Sequence, residues 1–207
     1  MRAPIVAIVL AAGQGWRMGP GRQQLKLLLP WGDTTILGQT LRHVQRSSLD
    51  HILVVTGHEA AAVAAIAAAH QLPTIHNPHY ATGEMLSSLQ AGLRQVADSC
   101  AAVLVVLADQ PLVTPAIIDQ LLAAYRQGPA GIVAPIYQGR RGNPVLFDRR
   151  HFAGLLALPA GAAPRDLLQK HPADMQLVAV DSDAILADID RPEDYERLRP
   201  GHTPAYE

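Results

Sequence analysis

The sequence predicts an α/β fold in which helices cover both faces of a mainly parallel sheet. Short runs of apolar residues alternate with segments in which apolar residues recur at helical spacing. Nearly every residue within each of these short runs is apolar, as in strands that are buried on both faces. The composition is rich in Ala, Leu and Val with only 4% aromatic residues, which suits closely packed layers of helix and sheet.

The same patterns place each element along the chain. We expect strands at residues 5–10, 51–57, 73–77, 101–109, 131–137, 144–147 and 176–180. We expect helices at residues 34–47, 58–70, 83–97, 116–127, 148–157, 165–171 and from 192 onwards. Thr34 or Thr35 suits the cap of the first helix, and Thr114-Pro115 marks the start of the fourth. No linker or repeat divides the chain, so we expect one domain over residues 1–207, with its core at about 5–198 and a short C-terminal tail.

Charge and cysteine content exclude several classes of function. The formal net charge of −1 gives no global field that would draw the protein to nucleic acid or to an anionic membrane. A single cysteine, Cys100, allows no internal disulfide and no thiolate metal site. The apolar N-terminal run lacks a basic leader, and no later run reaches membrane-spanning length. We therefore expect a cytoplasmic protein without nucleic-acid or membrane partners.

The segment IVLAAGQGWRMG, residues 8–19, places a glycine-rich turn after the first strand, which is typical of phosphate binding. A dinucleotide-binding loop would need G-x-G-x-x-G, an early helix and an acidic residue at the end of the second strand. Here the glycines read G-x-G-x-x-x-G, and the second strand ends in Thr56-Gly57-His58. A P-loop does not fit either, because no Gly-Lys-Ser/Thr follows. Both the nicotinamide oxidoreductase and the P-loop interpretations are therefore disfavoured.

A nucleoside triphosphate suits the same loop better. Backbone N–H groups from Gly13 to Gly15 can form a nest for an anion, and the guanidinium of Arg17 is permanently charged. Lysine occurs only at positions 26 and 170, and Lys26 lies in the loop after the glycines. A compact ammonium there suits a triphosphate oxygen. A solvated surface lysine is the alternative interpretation.

Polar residues follow several predicted strands, at the sheet edge where open α/β sheets bind ligands. This rule brings together the glycine loop, the Thr56-Gly57 turn, Asn77 and Asp109. Asp109 ends the apolar run AAVLVVLAD and has no basic neighbour in sequence. We therefore expect an unpaired carboxylate that binds Mg²⁺ together with phosphate oxygens. A turn or capping Asp is the alternative, although Thr114-Pro115 already starts the next helix.

Asp190 lies in DIDRPEDYERL, just before a helix that begins at Pro192. An Asp in that place commonly caps a helix, and Glu193 and Asp194 complement the helix dipole. From these residues alone, a helix cap and a second metal ligand both stay open for Asp190.

Six motifs now stand in order: LAAGQGWRMG, Lys26, NPHYATGEMLSSLQAG, LADQPLVTP, GRRGNPVLF and DIDRPEDY. Together they resemble the MobA-like nucleotidyltransferases from residue 5 to about 198, most closely the molybdenum cofactor cytidylyltransferase branch. The resemblance implies a Rossmann-like, nucleotide-diphospho-sugar transferase fold. It also implies a Mg²⁺-dependent reaction in which an acceptor phosphate attacks the α-phosphorus of a nucleoside triphosphate and releases pyrophosphate. The LAAG form of the loop is similar to the cytidylyl branch, in which CTP is the donor and molybdopterin carrying molybdenum the acceptor.

The resemblance also implies roles for residues of this sequence. Arg17, Lys26 and Asp109 would be catalytic, and Asp109 and Asp190 would hold Mg²⁺. The nucleotide would be bound by Leu10, Ala11, Ala12, Gly13, Gly15, Thr56, Gly57, Gly83, Ser87 and Ser88. The acceptor would be bound by Asn77, Arg140, Arg141, Asn143 and Arg165. A molybdoenzyme or its maturation factor is a further candidate partner.

The chain departs from the family pattern at three places. Six residues separate Lys26 from Arg-Met-Gly, where the family usually has two or three. Asn143 stands where many members have His, and the loop AGAAPR keeps only Arg165 as a charged residue. Two alternatives stay open: transfer to a sugar phosphate or other small phosphate, and a non-catalytic chaperone that delivers molybdenum cofactor.

Overall fold

The computed structural model describes residues 3–13, 26–82 and 84–201. Its strands are β1 Ile5–Ala11, β2 Pro30–Trp31, β3 Thr34–Thr35, β4 His51–Thr56, β5 Thr74–His76, β6 Ala102–Leu107, β7 Ile132–Tyr137, β8 Arg140–Arg141, β9 Val145–Asp148 and β10 Met175–Ala179. Its helices are α1 Ile36–Gln45, α2 Ala60–Ala69, α3 Glu84–Val96, α4 Pro115–Gln127, α5 Phe152–Leu156, α6 Pro164–Lys170 and α7 Pro192–Leu198.

The main sheet has eight strands in the order β10-β7-β9-β6-β1-β4-β5, with β8 paired to β7. The pairs β1–β4, β1–β6, β4–β5 and β7–β10 are parallel, which confirms the mainly parallel sheet. Only β9, the predicted strand PVLF, runs antiparallel to both of its neighbours in the ordered path. The carboxyl ends of β1, β4, β5 and β6 therefore meet at one edge of the sheet.

Helices pack on both faces of this sheet, as predicted. Successive residues of β1 alternate between two hydrophobic clusters, because neighbouring side chains in a strand point to opposite faces. One cluster joins Ala7 and Val9 to α1 and α4, and the other joins Val6 and Ile8 to α3 and α5. No helix in the described part of the chain is long and apolar enough to cross a membrane.

Local signals decide several element boundaries. Thr35, not Thr34, caps α1, because its Oγ1 accepts a hydrogen bond from the N–H of Gly38 at 3.0 Å. Thr114 caps α4 in the same way, through the N–H of Ile117. The predicted helix at 148–157 begins as a 3₁₀ turn, Arg149–His151, before α5. The hairpin of β2 with β3 and the short strand β8 were not predicted, since a two-residue strand has no period to detect.

Gly92 sets how closely α3 approaches the sheet. A Cβ atom at this position would lie 2.7 Å from Cγ2 of Ile8 and 2.9 Å from Cγ2 of Val55. Both are methyl groups of β-branched side chains, which have few alternative rotamers. The glycine thus allows a contact that any larger residue would push apart.

We expect Gly92→Ala to destabilise the protein, although Ala favours a helix by up to about 1 kcal/mol. Overpacking a close core contact costs about 1–3 kcal/mol, so a net loss of up to about 2 kcal/mol should remain after the helix gain is subtracted. Urea unfolding measures this change. Gln95→Ala, at an exposed position of the same helix, is the control and should stay near wild type. Equal stabilities of Gly92→Ala and wild type would contradict the packing described here.

Candidate active site

The loops at the carboxyl edge of the sheet are tied to one another by backbone hydrogen bonds. His58 N donates to Ala12 O at 3.2 Å, and Asn77 N donates to Thr56 O at 2.8 Å. Ala108 N donates to Leu10 O at 3.3 Å. The edge therefore brings the loop after β1, the Thr56-Gly57 turn, Asn77 and Asp109 together, as the sequence predicts.

Lys26 lies between two carboxylates at this edge. Its Nζ is 2.5 Å from Oδ2 of Asp109 and 2.9 Å from Oδ1 of Asp190. Only 11% of the Lys26 side chain is exposed, against 20% for Asp109 and 33% for Asp190. This arrangement excludes the solvated surface lysine as an interpretation of Lys26.

The expectation that Asp109 is an unpaired carboxylate was wrong. Its positive partner comes from a residue 83 positions earlier in the chain, which no inspection of sequence neighbours would find. An Asn at position 109 would therefore remove a partner of Lys26 and not an uncompensated charge. Burial lowers the pKa of Lys26, but Asp109 and Asp190 outweigh it and hold that pKa above its ordinary value. The ammonium is charged at neutral pH.

A third carboxyl group, Asp188, faces the same cluster and was missed at the level of sequence. Burial, followed by the charge of Asp109, raises the pKa of Asp188 to about 6. Its Oδ1 accepts a hydrogen bond from Nε2 of Gln110 at 2.5 Å. Asp188 and Asp190 flank Ile189, which is fully buried. The alternation in ILADID was the available signal, because residues two apart in extended backbone share a face.

The donor chemistry of this cluster suits a hard divalent cation such as Mg²⁺, which prefers carboxylate oxygens together with phosphate and water. In the described part of the chain, three carboxyl groups face the ammonium of Lys26. Among the described residues, no group of three or more His, Cys, Asp or Glu side chains is arranged as a ready-made metal site. Asp109 and Asp190 therefore fit a cation as partial ligands that leave positions for phosphate oxygens.

Several of the residues that the sequence predicts to bind the nucleotide are tightly packed at the carboxyl edge of the sheet. A Cβ at Gly57 would lie 2.5 Å from Cβ of Tyr80 and 2.7 Å from Cβ of Ala12, so only glycine fits. Ala11 and Thr56 are almost fully buried, and Leu10 is partly exposed. Gly13 is exposed. The predicted site residues Gly15, Arg17 and Gly83 lie outside the described residues.

Asn77 organises the start of α3. Its Nδ2 donates to Oγ of Ser87 at 2.8 Å and to Oγ of Ser88 at 3.0 Å, and its Oδ1 accepts from His79 N. Asn77 is 1% exposed and Ser88 is 3% exposed. The carboxamide of Asn77 therefore holds the two serines in place and leaves little of its own surface to an acceptor.

A cavity of about 340 Å³ opens at the end of β6, where Leu107, two residues before Asp109, is among its lining residues. Its apolar lining includes Leu107, Val105 and Phe147, while Met85 is 43% exposed. The predicted acceptor residues Arg141, Asn143 and Arg165 line the same cavity. Arg140 is not among its lining residues and lies with Arg141 on the short exposed strand β8. A larger cavity, of about 600 Å³, lies at the opposite edge of the sheet and includes none of the predicted site residues.

One family model and several known proteins are similar to this chain over most of its length. A family model described as a MobA-like NTP transferase domain matches residues 7–175. The purine catabolism protein PucB of Bacillus subtilis is 32% identical over 210 residues, covering 96% of this chain and 98% of that protein. The molybdenum cofactor cytidylyltransferase of Escherichia coli is 28% identical, covering 96% of this chain and 97% of that protein.

Two further similarities bear on the chemistry. The nicotine blue oxidoreductase of Paenarthrobacter nicotinovorans is 29% identical, covering 94% of this chain and 96% of that protein. A Mycobacterium tuberculosis protein whose crystal structure is a complex with manganese superposes with a TM-score of 0.76 at 28% identity. That alignment covers 96% of this chain and 99% of the other.

We expect Lys26→Met to destabilise the protein by about 1–3 kcal/mol, because it removes the ammonium to which both Asp109 and Asp190 are bonded. The estimate is below that for a fully buried pair, since the carboxylates keep some contact with water. Urea unfolding at pH 7.5 measures the loss. Lys170→Met, which changes the exposed and only other lysine, is the matched control. If both variants unfold alike, the ion pair does not hold this edge together.

Proposed function

The chain belongs to the MobA-like NTP transferase family, and on that premise we propose that it transfers CMP from CTP to a molybdopterin-type acceptor. The observation that carries this proposal is the buried Lys26, held between Asp109 and Asp190 beside the loop after β1. It places an ammonium and carboxylates at the sheet edge where α/β proteins bind ligands. The E. coli relative described as a molybdenum cofactor cytidylyltransferase supports the choice of substrates.

The reaction depends on the positioning of the two substrates and on the neutralisation of charge more than on covalent catalysis. An oxygen of the acceptor phosphate attacks the α-phosphorus of CTP, and the bond from that phosphorus to the β-phosphate oxygen breaks. Pyrophosphate leaves with its electron pair. Lys26, and Arg17 by its place in the glycine loop, would balance the negative charge that develops on the phosphates. A divalent cation bound to Asp109 and Asp190 would supply further charge neutralisation.

The lining of the cavity at the end of β6 supports an acceptor that has both a phosphate and a broad ring system. Arg141 and Arg165 provide positive charge for an anion, while Leu107, Val105 and Phe147 form an apolar wall. A sugar or polyol phosphate would leave the apolar wall of Leu107, Val105 and Phe147 without a matching surface. A ring system with a phosphate on a side arm suits it better.

Release of pyrophosphate from each nucleoside triphosphate, with Mg²⁺ and with or without molybdenum cofactor, tests the function. We expect release from CTP that requires both the cation and the cofactor. Release with a sugar phosphate in place of the cofactor would identify the alternative acceptor class. Binding of the cofactor without release from any nucleotide would favour the delivery chaperone and reject the proposed transfer.

We expect CTP to stabilise the protein more than GTP, since the loop after β1 reads LAAG. A nucleotide at about a hundred times its Kd adds about 2.7 kcal/mol to the free energy of unfolding. Thermal unfolding with Mg²⁺ and each nucleotide measures the difference. Equal shifts, or a larger shift with GTP, would contradict the CTP preference.

We expect Arg141→Ala to raise the KM of the acceptor about tenfold and to leave the KM of CTP nearly unchanged. Arg141 is among the residues that line the cavity, and a charged hydrogen bond to an anionic acceptor is worth enough for such a change. Arg140→Ala is the matched control, because Arg140 is adjacent, exposed and not among the residues that line the cavity. The assignment fails if the two variants behave alike or if both substrates are affected equally.

A further inference from the structure

Gln110 is a buried polar side chain directly after Asp109. It is 2% exposed, although nothing in the apolar strand before it requires a carboxamide there. Its Nε2 donates to Oδ1 of Asp188 at 2.5 Å and to the carbonyl of Ile185 at 3.4 Å. One short side chain thus connects the end of β6 with a segment more than seventy residues later.

The carbonyl of Ile185 is bonded from two sides, by Gln110 next to the carboxylate cluster and by the loop before β9. It also accepts a hydrogen bond from the N–H of Asn143 at 3.0 Å. A Cβ at Gly142 would overlap this carbonyl, so the loop before β9 can approach it only as glycine. Gln110 and the acceptor-side loop therefore bind the same backbone oxygen.

A second link lies beside the first. Ile189 N donates to the carbonyl of Asp109 at 3.1 Å. Segment 185–190 is thus bonded to Gln110 through Ile185 and to Asp109 through Ile189. Asp188 lies between these two bonds in sequence, and Asp190 directly follows the second. Any movement of Gln110 would shift the carboxyl groups of Asp188 and Asp190 relative to Asp109. It would also shift the loop that contains Asn143 relative to these carboxyl groups.

We propose that Gln110 is a positioning residue for both the cation-binding carboxylates and the acceptor-side loop, an inference that rests on the proposed function. Gln110 is almost fully buried, so it would act through the groups that it contacts. A neutral donor is the group this place requires, because Glu would repel the carboxylate of Asp188, and Lys would compete with the cation for the carboxylates nearby. The carboxamide holds Asp188 without cancelling its charge.

Gln90 provides a matched comparison. Its Nε2 donates to the carbonyls of Leu155, Leu156 and Leu158 at 3.0, 3.3 and 3.1 Å. It therefore bonds to backbone carbonyls as Gln110 does, but away from the carboxylate cluster. Replacing each glutamine by Met keeps the length of the side chain and removes the donor, so the two variants separate positioning from general stability.

Binding of Mn²⁺ to the full chain without nucleotide, followed by electron paramagnetic resonance, is the first measurement. We expect Gln110→Met to raise the Kd of Mn²⁺ about tenfold, because the lost bond is made to a charged group. In steady-state kinetics the KM of the acceptor should rise by a similar factor, with the KM of CTP within about twofold of wild type. Gln90→Met should lower stability but leave all three constants unchanged.

A double-mutant cycle gives the second measurement. If Gln110 acts through Asp188, the pair Gln110→Met and Asp188→Leu should weaken Mn²⁺ binding no more than Asp188→Leu alone. Should Gln110→Met fail to fold, Gln110→Asn replaces it, since its arm is one methylene too short to make the same bond. Three results would overturn the inference. The effects of the two substitutions on the Kd of Mn²⁺ could be additive, a Gln110 variant could leave the Kd and both KM values unchanged as Gln90→Met does, or the wild-type protein could bind no Mn²⁺.

The two hypotheses fail in different ways. Wild-type protein that binds Mn²⁺ but releases no pyrophosphate from any nucleotide would reject the proposed transfer, while the Mn²⁺ series would still decide the role of Gln110. Normal turnover by wild type, together with unchanged constants for Gln110→Met, would reject only the positioning role.

Discussion

The ion pair of Lys26 with Asp109 and Asp190 is the interaction on which the rest of the site depends. It joins three segments that are far apart in sequence: the turn before β2, the end of β6 and the approach to α7. Charges in a partly buried place are tolerated only when paired and hydrogen-bonded. Each segment therefore needs the other two, and the cluster exists only in the folded chain.

Among the residues that the structure describes, the same cluster places three carboxyl groups around one ammonium at the sheet edge. Asp188 faces Asp109 and Asp190, and burial together with Asp109 raises its pKa. A structure that served only stability would avoid such repulsion, because it costs free energy in the folded state. Departures of this kind are typical of sites that bind a charged ligand, and here a divalent cation would offset the repulsion between the carboxylates.

The antiparallel strand β9 explains why the loop with Gly142 and Asn143, which lines the cavity, lies at the same edge as Asp109. It pairs with β6 on one side and β7 on the other, so the loop before it returns to the edge where β6 ends. That loop carries Gly142 and Asn143, which contact the carbonyl of Ile185. The proposed acceptor site and the proposed cation site are therefore adjacent through backbone contacts that run across the sheet.

The sequence by itself determined the α/β class, the order of the main strands and helices and the edge where the candidate residues gather, because apolar periodicity and helix caps are local signals. It did not determine the partner of Asp109, the place of Asp188 or the difference between Arg140 and Arg141. Tertiary structure decided these, since Lys26 and Gln110 reach residues 83 and 78 positions away. Contacts across such separations depend on how the sheet is assembled, and no pattern among neighbouring residues records them.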